Sequence, residues 1–243
     1  MDGTNSGASG ATFFLTTTMI LLLSLSLFLK QTATLPSERW ESALARMPLV
    51  RRATELNRTN CVPLLLESFQ SNRTVKALIF LPGATDEFYF FKRARADLAE
   101  GRLTLMDAVS ALTNQTLIRV TFRPPLLLLH TDEDPIDPLF QIEDAATAQK
   151  LRQRPFMEHG SFNDRDWDFI VPLLDNQLKS RCVPKRYSPE SWHFYRHSLA
   201  IWNLSGWEAL EAFSLAGKTT FTVQKNRIVF KGDTRTRGRP KVQ

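Results

Sequence analysis

The sequence predicts an α+β protein in which an N-terminal transmembrane helix precedes two small helix-strand-strand modules with mixed sheets. Three observations support this fold class. Residues 11–29 form a long apolar run without a charge. The segment 103–129 aligns without a gap with 204–230, and both copies read as a helix followed by two strands. An acidic, partly helical stretch lies between the two copies and separates the predicted modules.

The predicted anchor is the nineteen-residue segment 11–29, ATFFLTTTMILLLSLSLFL. As a helix it would be about 29 Å long, close to the roughly 30 Å hydrocarbon core of a bilayer. A cleaved signal peptide is one alternative, but the polar leader 1–10 lacks Lys and Arg, and only Thr32-Ala33-Thr34 resembles a cleavage site. A buried helix of the folded part is the other alternative. We expect an uncleaved single-pass anchor.

Two opposing signals bear on the side of the membrane that the rest of the chain occupies. Lys30, Arg39 and Arg46 follow the anchor and no basic residue precedes it, which favours a cytoplasmic C-terminal part. A folded domain, however, can be translocated largely regardless of such flanking charge. We therefore expect a membrane protein whose soluble part is extracytoplasmic.

The positive charge is concentrated at the C-terminal end of the chain. Of the net charge of +6, the tail 231–243, KGDTRTRGRPKVQ, contributes +4 from five basic residues and one acidic residue. We expect this tail to be disordered. Because the remainder is near neutral, the composition predicts no nucleic-acid partner.

The first module is predicted over 55–130, after a linker and amphipathic segment at 30–54. Residues 62–69 read as a helix with Pro63 in its first turn, and the apolar run 75–81 reads as a strand. Cys61 and Cys182 are the only cysteines, and they either form one long-range disulfide or stay buried thiols.

The repeated segment gives the same local signals in both copies. Thr104 and Ser205 stand at helix N-cap positions, and each is followed three residues later by an acidic residue, the capping-box pattern. Apolar residues then recur at helical spacing, and Trp207 takes the place of Met106 as a predicted core residue. Alternating apolar and polar residues after each helix predict a strand, a turn and a second strand, of which 126–129 is one. The second module is predicted over 181–230.

An acidic loop and helical connector is predicted over 131–180, with helices at 141–149 and 169–178. Asp164, Asp166 and Asp168 have the spacing of the first calcium ligands of an EF-hand loop, but the Gly and Glu of that loop are missing. We predict instead that Asp166 or Asp168 caps the second of these helices.

The pattern L-T-L-x-D-A-V-x-A-L-T-x-Q-T followed by alternating strands resembles the secretin and TonB short N-terminal domain. The resemblance covers about 27 residues in each copy, and Ser205-Gly-Trp-Glu-Ala-Leu-Glu is the more similar helix start. The second copy departs from the pattern at Lys218-Thr219, where an apolar residue is expected. The resemblance implies an envelope protein-interaction module and brings no catalytic residue with it.

Histidines and carboxylates suggest one alternative chemistry. His193 and His197 are four residues apart, so a helix would place both on one face, a spacing that metal sites use. With His130 and Asp132 they could bind a divalent transition metal such as zinc, iron or manganese, and Asp132 or Glu158 would serve as a base. The same histidines lie among aromatic residues and lack the Glu of an H-E-x-x-H motif, a pattern typical of an aromatic packing face.

The sequence therefore predicts a single-pass, membrane-anchored envelope protein that binds a protein partner or itself and carries no cofactor. Motifs for a serine nucleophile or for nucleotide phosphates, such as G-x-S-x-G and the P-loop, are absent from the sequence. The alternative is a membrane-anchored metal-dependent hydrolase that uses the histidine and carboxylate residues.

Overall fold

The structure, a computed structural model, describes residues 39–70, 73–81, 95–131, 139–184 and 196–232. The predicted leader, the anchor 11–29 and nearly all of the predicted tail lie outside these ranges. Among the described residues, no helix has the length and apolar character needed to cross a bilayer. The described residues belong to one compact unit that begins at Arg39. The prediction of an α+β fold with mixed sheets is confirmed.

Within these ranges the structure has six helices and eleven strands. The helices are α1 (Trp40–Leu44), α2 (Cys61–Ser68), α3 (Leu105–Gln115), α4 (Ala145–Gln153), α5 (Trp167–Leu178) and α6 (Gly206–Ala216). The strands are β1 (Glu55–Leu56), β2 (Ala77–Leu81), β3 (Ala96–Asp97), β4 (Arg119–Arg123), β5 (Leu126–His130), β6 (Phe140–Ile142), β7 (His159–Arg165), β8 (Arg181–Pro184), β9 (His197–Trp202), β10 (Thr219–Gln224) and β11 (Arg227–Gly232).

The strands form two large sheets and one small one. The five-stranded sheet has the order β4-β5-β2-β9-β7, the four-stranded sheet has the order β6-β10-β11-β8, and β1 pairs with β3. Both large sheets are mixed, because β2 runs parallel to β5 while β6 and β8 run parallel to β10 and β11. The five-stranded sheet combines strands from both predicted modules with β7, which comes from the predicted connector.

The same order of elements occurs twice along the chain. The first unit runs α1-β1-α2-β2-β3-α3-β4-β5, and the second runs α4-β7-α5-β8-β9-α6-β10-β11. Three pairings recur with the same direction: β1–β3 and β7–β9 are antiparallel, β2–β5 and β8–β11 are parallel, and β4–β5 and β10–β11 are hairpins. The repeat predicted over 27 residues thus extends in the structure through most of the described chain.

Detailed contacts support this equivalence. The hairpin registers match at the predicted offset of 101, since Arg119 pairs with His130 and Thr220 pairs with Lys231. A proline also pairs with each helix cap: Pro48 bridges to Thr104, and Pro155 bridges to Ser205. The two units join where β9 of the second pairs antiparallel with β2 of the first.

Helix α6 lies between the two large sheets. Nine of its eleven residues are buried, and it packs against β2 and β9 on one side and β10 on the other. Its equivalent α3 buries only one stripe, because it packs on the outer face of the five-stranded sheet. A helix that is apolar on nearly all sides, such as 206–216, is typical of this enclosed position.

Both predicted capping boxes are confirmed. The Thr104 and Ser205 hydroxyls each accept a hydrogen bond of 3.2 Å from the N–H three residues on. In turn, the carboxylates of Asp107 and Glu208 each accept a hydrogen bond of 2.7 Å from the backbone N–H of the cap residue. The predicted helix 62–69 and strand 75–81 are confirmed as α2 and β2 with ends shifted by one or two residues.

Two helix predictions are corrected by the structure. The helix predicted over 141–149 begins later, because Asp144 caps α4 and the preceding residues form β6. The helix predicted to carry His193 and His197 is wrong at His197, which begins strand β9. His193 lies outside the described residues. Lys231, predicted to begin the disordered tail, belongs to β11.

Candidate functional site

Strand β6 is an edge of the four-stranded sheet. It runs parallel to β10 and is followed at once by helix α4, whose N-cap is Asp144. The N–H groups of Glu143 and Asp144 both donate to the Val223 carbonyl, at 2.9 and 3.1 Å. These bonds to β10 and the start of α4 fix the C-terminal end of β6.

Alternate residues of β6 direct their backbone groups to opposite sides. The Leu139 carbonyl accepts a bond of 3.2 Å from β10, and the Glu143 N–H donates one of 2.9 Å to β10. Residues two apart in a strand share one direction, so Gln141 also faces β10. The N–H and C=O groups of Phe140 and Ile142 therefore point away from β10, toward the side of β6 on which no described strand lies, which is its open side.

Apolar side chains are concentrated at the same edge. Leu139, Phe140 and Ile142 are 50%, 42% and 40% exposed. Isolated exposed apolar residues are normal, whereas a group of neighbours is typical of an interaction site. The other large apolar side chains exposed among the described residues do not adjoin β6; they are Val50, Leu117 and Phe169.

The ring of Phe140 connects this edge to the protein core. It packs edge-on against Trp207 of α6, with ring centroids 4.9 Å apart, and stacks on Phe221 of β10 at 5.7 Å. Trp207 is only 7% exposed, and Phe221 is buried. Phe140 is therefore held in place by core aromatics while nearly half of its surface faces solvent.

Two charged side chains contact Trp207. The Arg152 guanidinium lies 4.6 Å from the centre of the Trp207 ring, and the indole N–H donates to the Glu211 carboxylate at 2.8 Å. Desolvation raises the pKa of Glu211, and the indole hydrogen bond opposes this shift. On the same helix, Glu208 forms an ion pair of 3.1 Å with Lys76. The charged side chains around Trp207 and on this helix thus each have a partner.

The outward face of the same sheet carries a shallow groove beside β6. The groove has a volume of ≈ 260 Å³ and is mostly polar, because outward residues of β6, β10 and β11 line it. Glu143 at one end is held by the Gln224 amide at 2.9 Å, and Lys231 lies at the other end. Among the residues that line the groove, Glu143 is therefore the acidic one and Lys231 the basic one.

The opposite edge of this sheet, β8, is closed to further pairing. Arg181 donates its N–H to Asn226 beside β11, so Cys182 and Pro184 face outward. The Cys182 N–H donates to the Asp175 carboxylate, and Pro184 has no N–H. Side-chain capping and proline are both means of blocking an edge strand.

The structure places two of the four predicted metal ligands on one face of the five-stranded sheet, on strands separated by β2. His130 on β5 pairs with Leu81, and Ser198 on β9 pairs with Phe80, so His130 and His197 flank Leu81 in one row of the sheet. The alternation of buried residues puts both histidines on the same face. Asp132 and His193 lie outside the described residues. Among the described residues, no three His, Cys, Asp or Glu side chains form a group that could hold a metal ion.

Both of the candidate ligand histidines that the structure describes, His130 and His197, are buried and hydrogen-bonded. His130, 1% exposed, bonds through Nε2 with the Thr121 hydroxyl at 2.8 Å. His197, fully buried, donates from Nδ1 to the Arg165 carbonyl at 3.0 Å and packs edge-on against Trp167 at 4.4 Å. Burial lowers the pKa of His197 to about 4, although the Arg165 carbonyl opposes the shift. His197 therefore packs among aromatic side chains, as one of the two interpretations of the sequence predicted. The metal site stays a prediction.

The acidic run and the cysteines have structural roles. The Asp166 carboxylate accepts a hydrogen bond of 3.1 Å from the Phe169 N–H and caps α5. This confirms the prediction that Asp166 or Asp168 caps this helix. Cys61 and Cys182 are free and buried, in different apolar clusters, so the thiol interpretation is confirmed over the disulfide. Burial raises the pKa of Cys61 to about 12 and also raises that of Cys182, where Asp175 adds to the effect.

The β6 edge is a feature that the sequence did not predict. Its signal was the apolar–polar–apolar alternation of Phe140, Gln141 and Ile142, followed after Glu143 by Asp144, a residue type that favours helix caps. A three-residue alternation is too short to predict a strand by itself.

No family model, curated protein or solved structure shows significant similarity to this chain.

Proposed function

We propose that this chain is a single-pass, membrane-anchored envelope protein whose folded part binds an extended protein segment at β6. The observation that supports this proposal is the pair of outward-facing backbone residues, Phe140 and Ile142, whose apolar side chains are 42% and 40% exposed. Strand addition uses these two features, since backbone bonds provide affinity and alternate side chains provide specificity.

The bound segment would extend the four-stranded sheet by one strand. Its backbone would pair with the N–H and C=O groups of Phe140 and Ile142. Its inward side chains would cover the exposed parts of these two residues, next to Trp207. Tryptophan and arginine are enriched at the energetic centres of protein interfaces, and here the Arg152 guanidinium lies 4.6 Å from the centre of the Trp207 ring.

The other edges of the two large sheets are less suited to this role. β8 is blocked by Asp175 and Pro184. β4 has Arg119 and Arg123 at its two ends, and charged side chains on an edge strand oppose pairing with another strand. Helix α2 packs against β7. This comparison favours β6 as the binding edge.

The membrane part of the proposal comes from the sequence. The predicted anchor 11–29 would hold the folded part at the bilayer surface, on the extracytoplasmic side. The resemblance to the secretin and TonB short N-terminal domain also implies an envelope interaction module. The anchor and the side of the membrane are predictions that a topology experiment, such as protease accessibility in sealed vesicles, can test.

Site-specific photocrosslinking tests the binding edge. A photoreactive amino acid replaces Ile142 in the full chain, and the matched control replaces Leu117, which is apolar and 72% exposed but lies elsewhere. In native membranes we expect a discrete crosslinked species from position 142 and none from position 117. No adduct at 142, or equal adducts at both positions, would contradict the proposal.

The hydrolase alternative has one supporting observation, the placement of His130 and His197 on one face of one sheet row. It requires about one bound transition-metal ion per chain, since a site of this kind binds stoichiometrically. Metal analysis of the purified full chain would support it if the metal were present and were lost in a His130→Ala variant. A chain without stoichiometric metal after reconstitution would remove the alternative.

A further inference from the structure

We propose that the segment bound at β6 is the β6 strand of a second copy of this chain, paired antiparallel about a two-fold axis at Gln141. This inference rests on the proposed function and names its partner. Strand β6 has three residues, and Gln141 is the central one. Phe140 and Ile142 lie one residue to either side of Gln141, so the axis places Phe140 opposite Ile142 of the second copy.

The backbone groups of β6 complement themselves in this register. Phe140 and Ile142 both face the open side, and two such residues placed opposite each other exchange both of their N–H to C=O bonds. The axis generates this pair twice, which gives four hydrogen bonds between the copies. Gln141, whose backbone faces β10, meets its own counterpart as a pair without backbone bonds, with Cα atoms about 4.5 Å apart.

Side chains on both faces of the sheet are also self-complementary. On the inner face, Phe140 of each copy contacts Ile142 of the other, and the exposed apolar surface of both is covered. On the outer face, two Gln141 amides meet, and each amide can both donate and accept a hydrogen bond. The strand contains no charge, so the pairing places no like charges directly opposite each other.

The charges beyond the strand are arranged favourably. The same register puts Glu143 of one copy opposite Leu139 of the other, in the row that continues through Thr220 to Lys231. Glu143 and Lys231 lie at opposite ends of the groove within one chain. The two-fold axis therefore places Glu143 of each copy in the same row as Lys231 of the other, three strands away, so this row brings no like charges together.

The small size of the β6–β6 contact determines how strongly two copies associate in solution and in a membrane. A three-residue strand pair is much smaller than the roughly 1,200–2,000 Å² interfaces of stable complexes. Association in dilute solution should therefore be weak. Confinement of both copies to one membrane by the predicted anchor would raise their effective concentration and favour the dimer.

Disulfide trapping in membranes tests this pairing. The full chain with Gln141→Cys is oxidised mildly and run on a non-reducing gel. We expect a reductant-sensitive species of twice the 27.8 kDa chain mass, because Cα atoms about 4.5 Å apart lie within disulfide range. Phe140→Cys should yield at least about fivefold less of this dimer, because the Cα atoms of residue 140 in the two copies would be roughly 8 Å apart, beyond disulfide range. The unchanged chain, with Cys61 and Cys182 buried, is the blank.

Thr222→Cys is the matched control, since it lies in the same row as Gln141 but one strand further from the axis. Little or no dimer is expected there. Monomer at position 141, or equal dimer at all three positions, would overturn the pairing. An adduct of another mass at position 141 would overturn self-pairing and leave the proposed function standing. Absence of any photocrosslink at Ile142 would instead refute the proposed function itself.

Discussion

At the scale of single residues, Trp207 connects the core to the proposed binding edge. Its ring is 7% exposed, supports Phe140 at 4.9 Å, and lies under the Arg152 guanidinium at 4.6 Å. Its indole N–H is also the donor to Glu211. The sequence predicted its burial correctly from the alignment with Met106, but these contacts depend on α4 and β6, which come from distant parts of the chain.

Replacing Trp207 by alanine is expected to lower the free energy of unfolding by about 3–5 kcal/mol, because a large buried ring leaves a cavity. The matched variant, Met106→Ala, should cost less, since Met106 is only half-buried at the equivalent position. Denaturant unfolding of the full chain in mild detergent measures both values. A cost below about 1 kcal/mol for Trp207→Ala would show that the ring is not a core residue.

His197 predicts a pH dependence of stability. Its pKa in the folded chain is about 4, below the ordinary value of 6.5, because the ring is fully buried. Between these two values the unfolded chain binds a proton that the folded chain does not. The contribution of His197 to stability is thus complete above pH 6.5 and is lost as the pH falls toward 4, by about 3 kcal/mol.

The measurement is the free energy of unfolding at pH 7 and at pH 4 for the full chain and for His197→Leu. The leucine variant should lack this part of the loss, whatever its stability at pH 7. The comparison is needed because Glu211, whose pKa is raised by desolvation, titrates with the opposite effect on stability. An equal loss in both proteins would contradict the assignment to His197.

At the scale of secondary-structure elements, local signals predicted the repeated unit well. Both capping boxes and both hairpins were predicted because caps, periodicity and turns act over a few residues. The helix prediction failed at His197, where aromatic residues at helical spacing also suit a buried strand. The apolar run 199–202 favours a strand, and pairing with β2 and β7 decides the outcome. Periodicity alone cannot separate these cases in a short apolar segment.

The two caps provide a prediction at this scale. Ser205→Ala and Thr104→Ala should each lower the free energy of unfolding by about 0.5–2 kcal/mol, because each leaves a helix N–H without its hydroxyl acceptor. The effects should add in the double variant, since α3 and α6 belong to different apolar clusters. Threonine at position 205, which keeps the hydroxyl, is the control and should cost little. An alanine effect near zero at either position would contradict that cap.

At the scale of the whole molecule, the sequence predicted the fold class but not the arrangement of its sheets. The pairing of β2 with β9 joins residues more than a hundred positions apart, and no local pattern encodes such a contact. The duplication was visible only in 27 residues, because the remaining equivalent elements share order and pairing more than sequence. This arrangement makes β6 and β8 the two edges of the four-stranded sheet. Because Asp175 and Pro184 block β8, β6 is the edge that can accept another strand.

The central claim is that β6 pairs with an additional strand when the chain is anchored in a membrane. Hydrogen exchange at single backbone amides tests this claim most directly. The N–H groups of Phe140 and Ile142 face the open edge, whereas that of Gln141 faces β10. We predict slow exchange at Phe140 and Ile142 in membranes and fast exchange in dilute detergent, with Gln141 slow in both. Equally fast exchange at Phe140 and Ile142 in membranes would show that the edge stays unpaired and would contradict the account.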